Sequence, residues 1–411
     1  MSFFEEISSR ELWENFLIRE EDKDVPDKKT IRTIKSILDT NEYETYDINY
    51  FNNFPISTRK ELRKFNTSKR RIVYVYPWRH RIVLKAVGFY ILSHYNSKFS
   101  ANSLAYTWGK GVKTAFRQIQ SFKLKPTDVV YKNDFSDYFN AINLDILEQK
   151  LIKFFKKDRD LVDIMLTLLK EPRVKIDGSN EVRVIDTKGV MAGTPIAGIL
   201  ANVYMHDVDL YMRKHKYKYI RYADDTLIVG DKALHAFQEQ LKSLNITFNP
   251  KKEETFTIAS GITFLGFTYQ GRTIRVSDEA RDKMKSRMKR RAKWYRKWMI
   301  DNNVPKRAAL KNYISGINKK FYSPNEDGVD WTQWYLPSIN NIEALEYLDT
   351  YYVICIRYLD SGTWHRGKKF YNLQYKDIKK LGFKSLVNEY WRIQKNLNKP
   401  NEQGEHQGQL K

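Results

Sequence analysis

"YIRYADDTLIVG", residues 219–230, sets two adjacent carboxylates, Asp224 and Asp225, between two short apolar stretches. Ile220 and Tyr222 precede the pair, and Leu227 and Val229 follow it. Each flank alternates in the manner of a half-buried strand, which predicts a β-hairpin turning at the pair. Asp is a common turn residue, but two like charges at a hairpin tip repel each other unless a cation joins them.

Such a cation needs more oxygen ligands than one turn supplies. Mg²⁺ prefers octahedral oxygen coordination. A two-metal site, with its ions about 3.5–4 Å apart, calls for a third carboxylate from another strand. Asp134 meets that need: it ends the strand-like "DVVYKND", residues 128–134, ninety residues before Asp224. Phe139, five residues further on, is near enough to line the same pocket. Asp137 and Asp207 also lie in the region, and surface or helix-face roles are expected for both.

The whole chain has the charge of a nucleic-acid-associated protein. Its 72 Lys and Arg against 49 Asp and Glu leave a formal net charge of +23 over 411 residues, which predicts a polyanionic partner. Its 27 Tyr and 22 Phe exclude a disordered protein. A lone cysteine, Cys355, excludes a disulfide framework and a cysteine-rich zinc module. "MSFFEEISSR" at the start has no signal-peptide pattern, and no apolar run approaches the ~18 residues of a membrane span. A cytoplasmic protein with no membrane partner is expected.

Around the hairpin, strands and helices interleave from about 70 to 275, which favours an α/β or α+β layer. "SKRRIVYVYP" reads as a basic-headed strand, and "SLNITFNPKKEETF" and "GITFLGFTYQGRTIRV" read as strands. Residues 1–64 form a helical extension with Ser9 as a cap for the stripe of Leu12, Phe16 and Leu17. From Ser277 the chain reads as helical. Ten of the seventeen residues from Arg281 to Lys297 are Lys or Arg, while Met284, Met288, Ala292, Tyr295 and Met299 form one apolar stripe. A second stripe, Leu345, Leu348, Tyr352, Cys355 and Leu359, is expected to pack as core. The polar stretch 399–411 reads as a disordered tail.

With these blocks in view, the chain resembles a reverse transcriptase. Asp134 with Phe139 matches the family's first palm motif, "GTPIAGILANVYM" its fourth block and "YADD" its fifth. "LNITFNPKKEET" resembles the sixth block, "ITFLGF" the seventh, and "KRRIVYVYP" with "RHRIV" the fingers. The resemblance spans roughly residues 65–320, in the family's order. It implies an α+β right-hand polymerase: fingers and palm over 65–275 with an antiparallel sheet and the YADD hairpin, a helical thumb over 276–320, and a helical C-terminal region over 321–398.

It also implies roles. Asp134 and Asp224 would hold two Mg²⁺ ions, with Mn²⁺ as a substitute, Asp225 would assist, and Phe135 belongs to the same metal-binding set. Lys69 with Arg70 or Arg71 would clamp the triphosphate. Phe139 would act as a steric gate favouring deoxynucleotides, and Pro195 and Ile196 would lie at the nucleotide. Phe264, Leu265 and Gly266 match the primer grip, Gly266 letting the backbone approach the primer. Lys285, Lys289, Arg290 and Lys293 would track the nucleic-acid backbone, making binding salt-dependent.

One departure stands out. Most of the family carries Pro-Gln-Gly in the fourth block, where this chain has Gly193-Thr194-Pro195-Ile196-Ala197. The shortened loop resembles the bacterial unknown-group and abortive-infection reverse transcriptases associated with phage defence. That resemblance implies an RNA-directed DNA polymerase that takes dNTPs and copies a noncoding RNA into cDNA, with homo-oligomers occurring among its relatives. Lys368, Lys369, Lys376, Lys379 and Lys380 would then form an RNA-docking surface. The alternatives are a group II intron-like or other retroelement enzyme, an RNA-dependent RNA polymerase, and a catalytically silent RNA-binding scaffold with a polymerase fold.

Overall fold

The stretch 219–229 forms a β-hairpin in the computed structural model, which describes residues 2–23, 26–63, 70–186, 188–323, 330–364 and 373–397. The predicted tail, 399–411, lies outside the described residues. The chain divides into two units, Met1–Thr257 and Ile258–Lys411.

Eight strands are described in the first unit: β1 (Thr58–Arg63), β2 (Arg70–Val75), β3 (Val130–Asp134), β4 (Arg173–Ile176), β5 (Val182–Val184), β6 (Tyr219–Tyr222), β7 (Asp225–Val229) and β8 (Glu254–Phe256). They make two sheets, ordered β2-β1-β4-β5 and β6-β7-β3-β8, and every pairing in the second is antiparallel.

Hairpin burial differs from the half-buried alternation expected. Tyr219, Ile220, Arg221, Leu227 and Ile228 are all fully buried. Part of the cover is the segment 102–104, which runs beside β6: Arg221 N–H donates to the Asn102 carbonyl and Leu104 N–H to the Arg221 carbonyl, both at 2.9 Å. The helix Ala197–Lys214 supplies more cover. Twelve of its eighteen residues are buried, the signature of a helix enclosed on most sides.

The strand expected over 243–256 is shorter than the sequence implied. It reduces to a bridge between Phe248 and Phe135 and to the three residues of β8. Between them Asn249 caps a 3₁₀ turn, Pro250–Lys252, through its side chain. Proline lacks the N–H that a continuing ladder requires.

The N-terminal helices follow their sequence signals. Ser9 accepts a hydrogen bond from Leu12 N–H, and Trp13 is fully buried with its indole N–H on the Ile7 carbonyl at 2.9 Å.

The second unit begins with a three-stranded antiparallel sheet, β9 (Ile262–Phe264), β10 (Phe267–Gln270) and β11 (Thr273–Val276), in the order β11-β10-β9. Among the described residues the rest is helical. The Ser277 hydroxyl caps the helix Asp278–Asp301, whose stripe of Met284, Met288, Ala292 and Met299 is buried. Leu345, Leu348, Tyr352, Cys355 and Leu359 are each fully buried on the helix Glu343–Ser361. Among the described residues no helix is long and apolar enough to cross a membrane.

Candidate active site

Strand register brings the three carboxylates together. Asp134, the last residue of β3, is paired directly with Asp225, the first residue of β7. Directly opposed residues of an antiparallel pair project to the same face, with Cβ atoms roughly 5 Å apart. Asp224 occupies the two-residue turn with Ala223, whose φ of 57° lies in the left-handed region. The pairing continues one step past Asp134, where Phe135 N–H donates to the Asp224 carbonyl at 3.3 Å. Three acidic residues thus occupy adjoining positions at one end of the sheet.

Their electrostatics match that crowding. Burial, then Asp224 and Asp134, push the Asp225 carboxyl up to about 7. Burial and Asp134 also raise Asp224, against the opposing pull of Lys252 and Arg71. Asp134 is 7% exposed, and its Oδ2 lies 2.6 Å from the Lys252 ammonium. The Asn249 N–H donates to its carbonyl at 2.8 Å. Lys252, a residue of the "NPKKE" turn, is therefore part of the site although the sequence reading did not single it out. Nothing in "PKK" distinguishes it from Lys251.

Residues of this kind suit a divalent cation. All three carry hard oxygen donors, and their mutual repulsion is what such a cation relieves. Among the described residues, however, no group of three His, Cys, Asp or Glu side chains is already gathered as a cage. Mg²⁺ is usually bound by one or two carboxylates and substrate phosphates rather than by an all-protein cage. The Phe135 ring is 2% exposed and stacks on Phe237 and Phe248, which leaves only its backbone for a metal.

The acidic cluster makes stability pH-dependent in a definite direction. Between 3.8 and about 7 the folded chain holds a proton on Asp225 that the unfolded chain has lost, so stability falls as pH rises through that window. The expected slope reaches about 1.4 kcal/mol per pH unit at most. Urea titrations in EDTA should show this loss, and Asp225→Asn should flatten it. An equal slope in that variant would assign the proton to another group.

The structure separates the basic candidates. Arg70 pairs with Glu61 at 2.7 Å, whereas Arg71 acts electrostatically on Asp224. Lys69 lies outside the described residues. Arg79 pairs with Glu42, and Lys85 donates to Thr30, so both face the N-terminal segment.

Phe139 is half-buried, and its carbonyl accepts from Val190 N–H at 2.9 Å, tying it to the segment just before the fourth block. In that block Pro195 is half-buried, but Ile196 is 3% exposed and belongs to the hydrophobic core, so the structure does not bring its side chain to the nucleotide position. Gly193 has a φ of 96°, and a Cβ there would come within 3.0 Å of Val73 on β2. Asp137 is exposed, and Asp207 pairs with Lys150 and Lys153, in keeping with surface roles.

In the second unit, Phe264 is fully buried. Leu265 and Gly266 turn between β9 and β10 with φ of 53° and 83°. The group that closes on Gly266 belongs to the chain itself: a Cβ there would lie 2.4 Å from the Tyr335 hydroxyl. The predicted backbone-tracking residues all fall on the helix Asp278–Asp301. Lys285 lies over Tyr347 and Tyr351 and Lys289 over Trp364, and Lys289, Arg290 and Lys293 are exposed. Lys376, Lys379 and Lys380 are exposed, and Lys368 and Lys369 lie outside the described residues.

Sequence reasoning missed the buried pair behind the hairpin. Arg221 is 0% exposed, and its guanidinium forks onto Asp209, with Nε at 3.0 Å from Oδ1 and Nη2 at 2.6 Å from Oδ2. Its Nη1 donates to the Ala223 carbonyl and its Nη2 to the Ser103 hydroxyl, both at 3.0 Å. The signal was present: an arginine between Ile220 and Tyr222 in an apolar strand requires a partner.

Residues 61–269 match the family described as "Reverse transcriptase (RNA-dependent DNA polymerase)". No curated protein matches the chain. Among solved structures, the apo telomerase of Candida tropicalis truncated from its C-terminal domain is similar at 12% identity and a TM-score of 0.44, over 55% of each chain. Telomerase from Candida albicans in complex with a fragment of telomeric RNA is 12% identical, with a TM-score of 0.41, over 85% of this chain and 65% of that one. An insertion-loop deletion mutant of a human picobirnavirus RNA-dependent RNA polymerase is 13% identical, with a TM-score of 0.46, over 83% of this chain and 62% of that one. The chain spans less than two thirds of the length of each.

Proposed function

The chain belongs to the reverse transcriptase (RNA-dependent DNA polymerase) family, and from that premise we propose that it synthesises cDNA from an RNA template by two-metal nucleotidyl transfer. The observation that carries the proposal is the register of Asp134 against Asp225, with Asp224 in the adjoining turn. Fingers and palm would lie within residues 65–275 and the thumb within 276–320.

Asp134 and Asp224 would hold Mg²⁺, with Asp225 assisting. When bound, the ions lower the pKa of the primer hydroxyl and offset charge on the leaving pyrophosphate. Arg71, already in electrostatic reach of Asp224, would hold the triphosphate. Lys252 would exchange its pairing with Asp134 for the incoming phosphates once that carboxylate ligates metal. The Phe139 ring would fill the space a ribose 2′-hydroxyl needs.

A noncoding RNA template and a role in phage defence, in the cytoplasm, extend the proposal. They are supported by the resemblance of the fourth block to the defence-associated group and by the net charge of +23.

The test is to purify the protein, supply Mg²⁺ and dNTPs, and sequence the RNA and DNA that accompany it. The expected outcome is cDNA complementary to one recurrent RNA, with dNTPs incorporated and NTPs excluded. Incorporation of NTPs in preference would instead identify an RNA polymerase. RNA capture without any product, combined with biological activity that survives replacement of Asp224 and Asp225 by Ala, would identify a silent scaffold.

A further inference from the structure

We propose that Tyr106 is a second specificity-determining residue of the nucleotide pocket, its ring holding Phe139 in the position that excludes a 2′-hydroxyl. The inference rests on the gate role given to Phe139 above. Tyr106 lies outside every block that carried the family resemblance to the palm.

Three observations converge on it. First, the Tyr106 ring meets the Phe139 ring edge-on, with centroids 6.4 Å apart and planes at 88°. Second, Tyr106 is 48% exposed although large and aromatic, and its φ of 55° lies in the left-handed region. A bulky residue rarely adopts that conformation unless its surroundings impose it. Third, the ring is seated on the start of the helix Ala197–Lys214. A Cβ at Gly198 would come within 2.4 Å of it, so only glycine leaves room for the ring there.

The surroundings that impose the conformation are buried and polar. The Asn202 amide donates to the Ala105 carbonyl at 2.7 Å, one residue before Tyr106. Ser103 donates to Asn202 at 3.2 Å and accepts from Arg221. Arg221 in turn holds the Ala223 carbonyl, next to Asp224. One set of hydrogen bonds thus fixes both the carboxylate turn and the backbone that presents Tyr106. An exposed aromatic held in a strained conformation by a buried network, against the residue expected to sense the sugar, has the arrangement of a pocket wall.

The experiment measures the ratio of dCTP to CTP incorporation by the full-length protein on a primed RNA template. Tyr106→Ala should lower the ratio about tenfold or more, the scale on which a pocket distinguishes small groups. Tyr106→Phe should preserve it, because the ring and not the hydroxyl abuts Phe139. Gly198→Ala should lower the ratio too, by displacing the ring without changing Tyr106. Thermal melts of this variant, in which overpacking competes with the better helix propensity of alanine, separate displacement of the ring from weaker folding. Phe139→Ala is the reference. If it lowers the ratio while Tyr106→Ala and Gly198→Ala remain at the wild-type value, Tyr106 has no such role and the gate reading stands. If Phe139→Ala itself leaves the ratio unchanged, the gate reading fails and this inference fails with it. Equal losses in Tyr106→Phe and Tyr106→Ala would also overturn the inference, since contact between the rings would then not be the cause.

Discussion

Asp224→Asn is expected to lower the rate of dNTP incorporation by about a thousandfold or more while leaving RNA binding intact. Metal-ion catalysis of phosphoryl transfer contributes several kcal/mol of transition-state stabilisation, and about 4 kcal/mol corresponds to that factor. An amide has nearly the shape of a carboxylate, so the variant removes charge and little else. Burial and the neighbouring Asp134 already hold the Asp224 carboxyl above its usual range. The same substitution should therefore raise thermal stability in EDTA even as it abolishes activity. Opposite signs in the two measurements are hard to obtain from misfolding. Single-turnover primer extension and thermal melts of the same preparations make the comparison. Asp134→Asn should behave alike in activity, and Asp225→Asn should lose less, as suits an assisting group. Extension by Asp224→Asn within tenfold of wild type would remove this residue from the metal site.

The parts of this site that were legible in the sequence are local. Alternation around Asp224 and Asp225 marks a hairpin, and a carboxylate at the end of "DVVYKND" marks a third acidic candidate, because each signal lies within a few residues. The register that sets Asp134 against Asp225 pairs residues 91 positions apart, and no local pattern encodes it. The same limit explains the basic residues. Arg70 and Arg71 are chemically alike, and only the neighbouring strand, which carries Glu61 beside Arg70, tells them apart. Ile196 was read as a nucleotide contact from its place where the family has Gln, yet it is enclosed by the core, because the turn before the helix Ala197–Lys214 directs it inward. Gly266 was expected to let the backbone approach a primer strand. What approaches it in the second unit is Tyr335, whose place depends on folding of a helix seventy residues away.

Arg221→Met is expected to destabilise the protein by about 3–5 kcal/mol, the cost of leaving one member of a buried ion pair without the other. That is a large share of a typical folding free energy of about 5–15 kcal/mol. Asp209 would keep the Tyr219 hydroxyl at 2.8 Å but lose both guanidinium hydrogen bonds. At 2% side-chain exposure it has little access to water as a replacement. Arg221→Met combined with Asp209→Leu should recover part of the loss, since a well-packed apolar pair often matches a buried ionic one, while the buried Tyr219 hydroxyl is left without its acceptor. Urea denaturation of the two variants measures this coupling. The double variant then isolates what the pair does for the site. It leaves no buried charge unpaired, but the Ala223 carbonyl and the Ser103 hydroxyl still lack the donor that Arg221 provided. Ala223 has a left-handed φ of 57°, a conformation that costs a non-glycine residue on the order of 1–3 kcal/mol, and nothing in the substituted pair would hold it there. Primer extension by the double variant should therefore be slower than wild type by about tenfold or more, at a stability above that of Arg221→Met. A double variant as unstable as Arg221→Met would show that the pair is not the source of the loss. One both stable and fully active would show that the turn keeps its shape without the guanidinium.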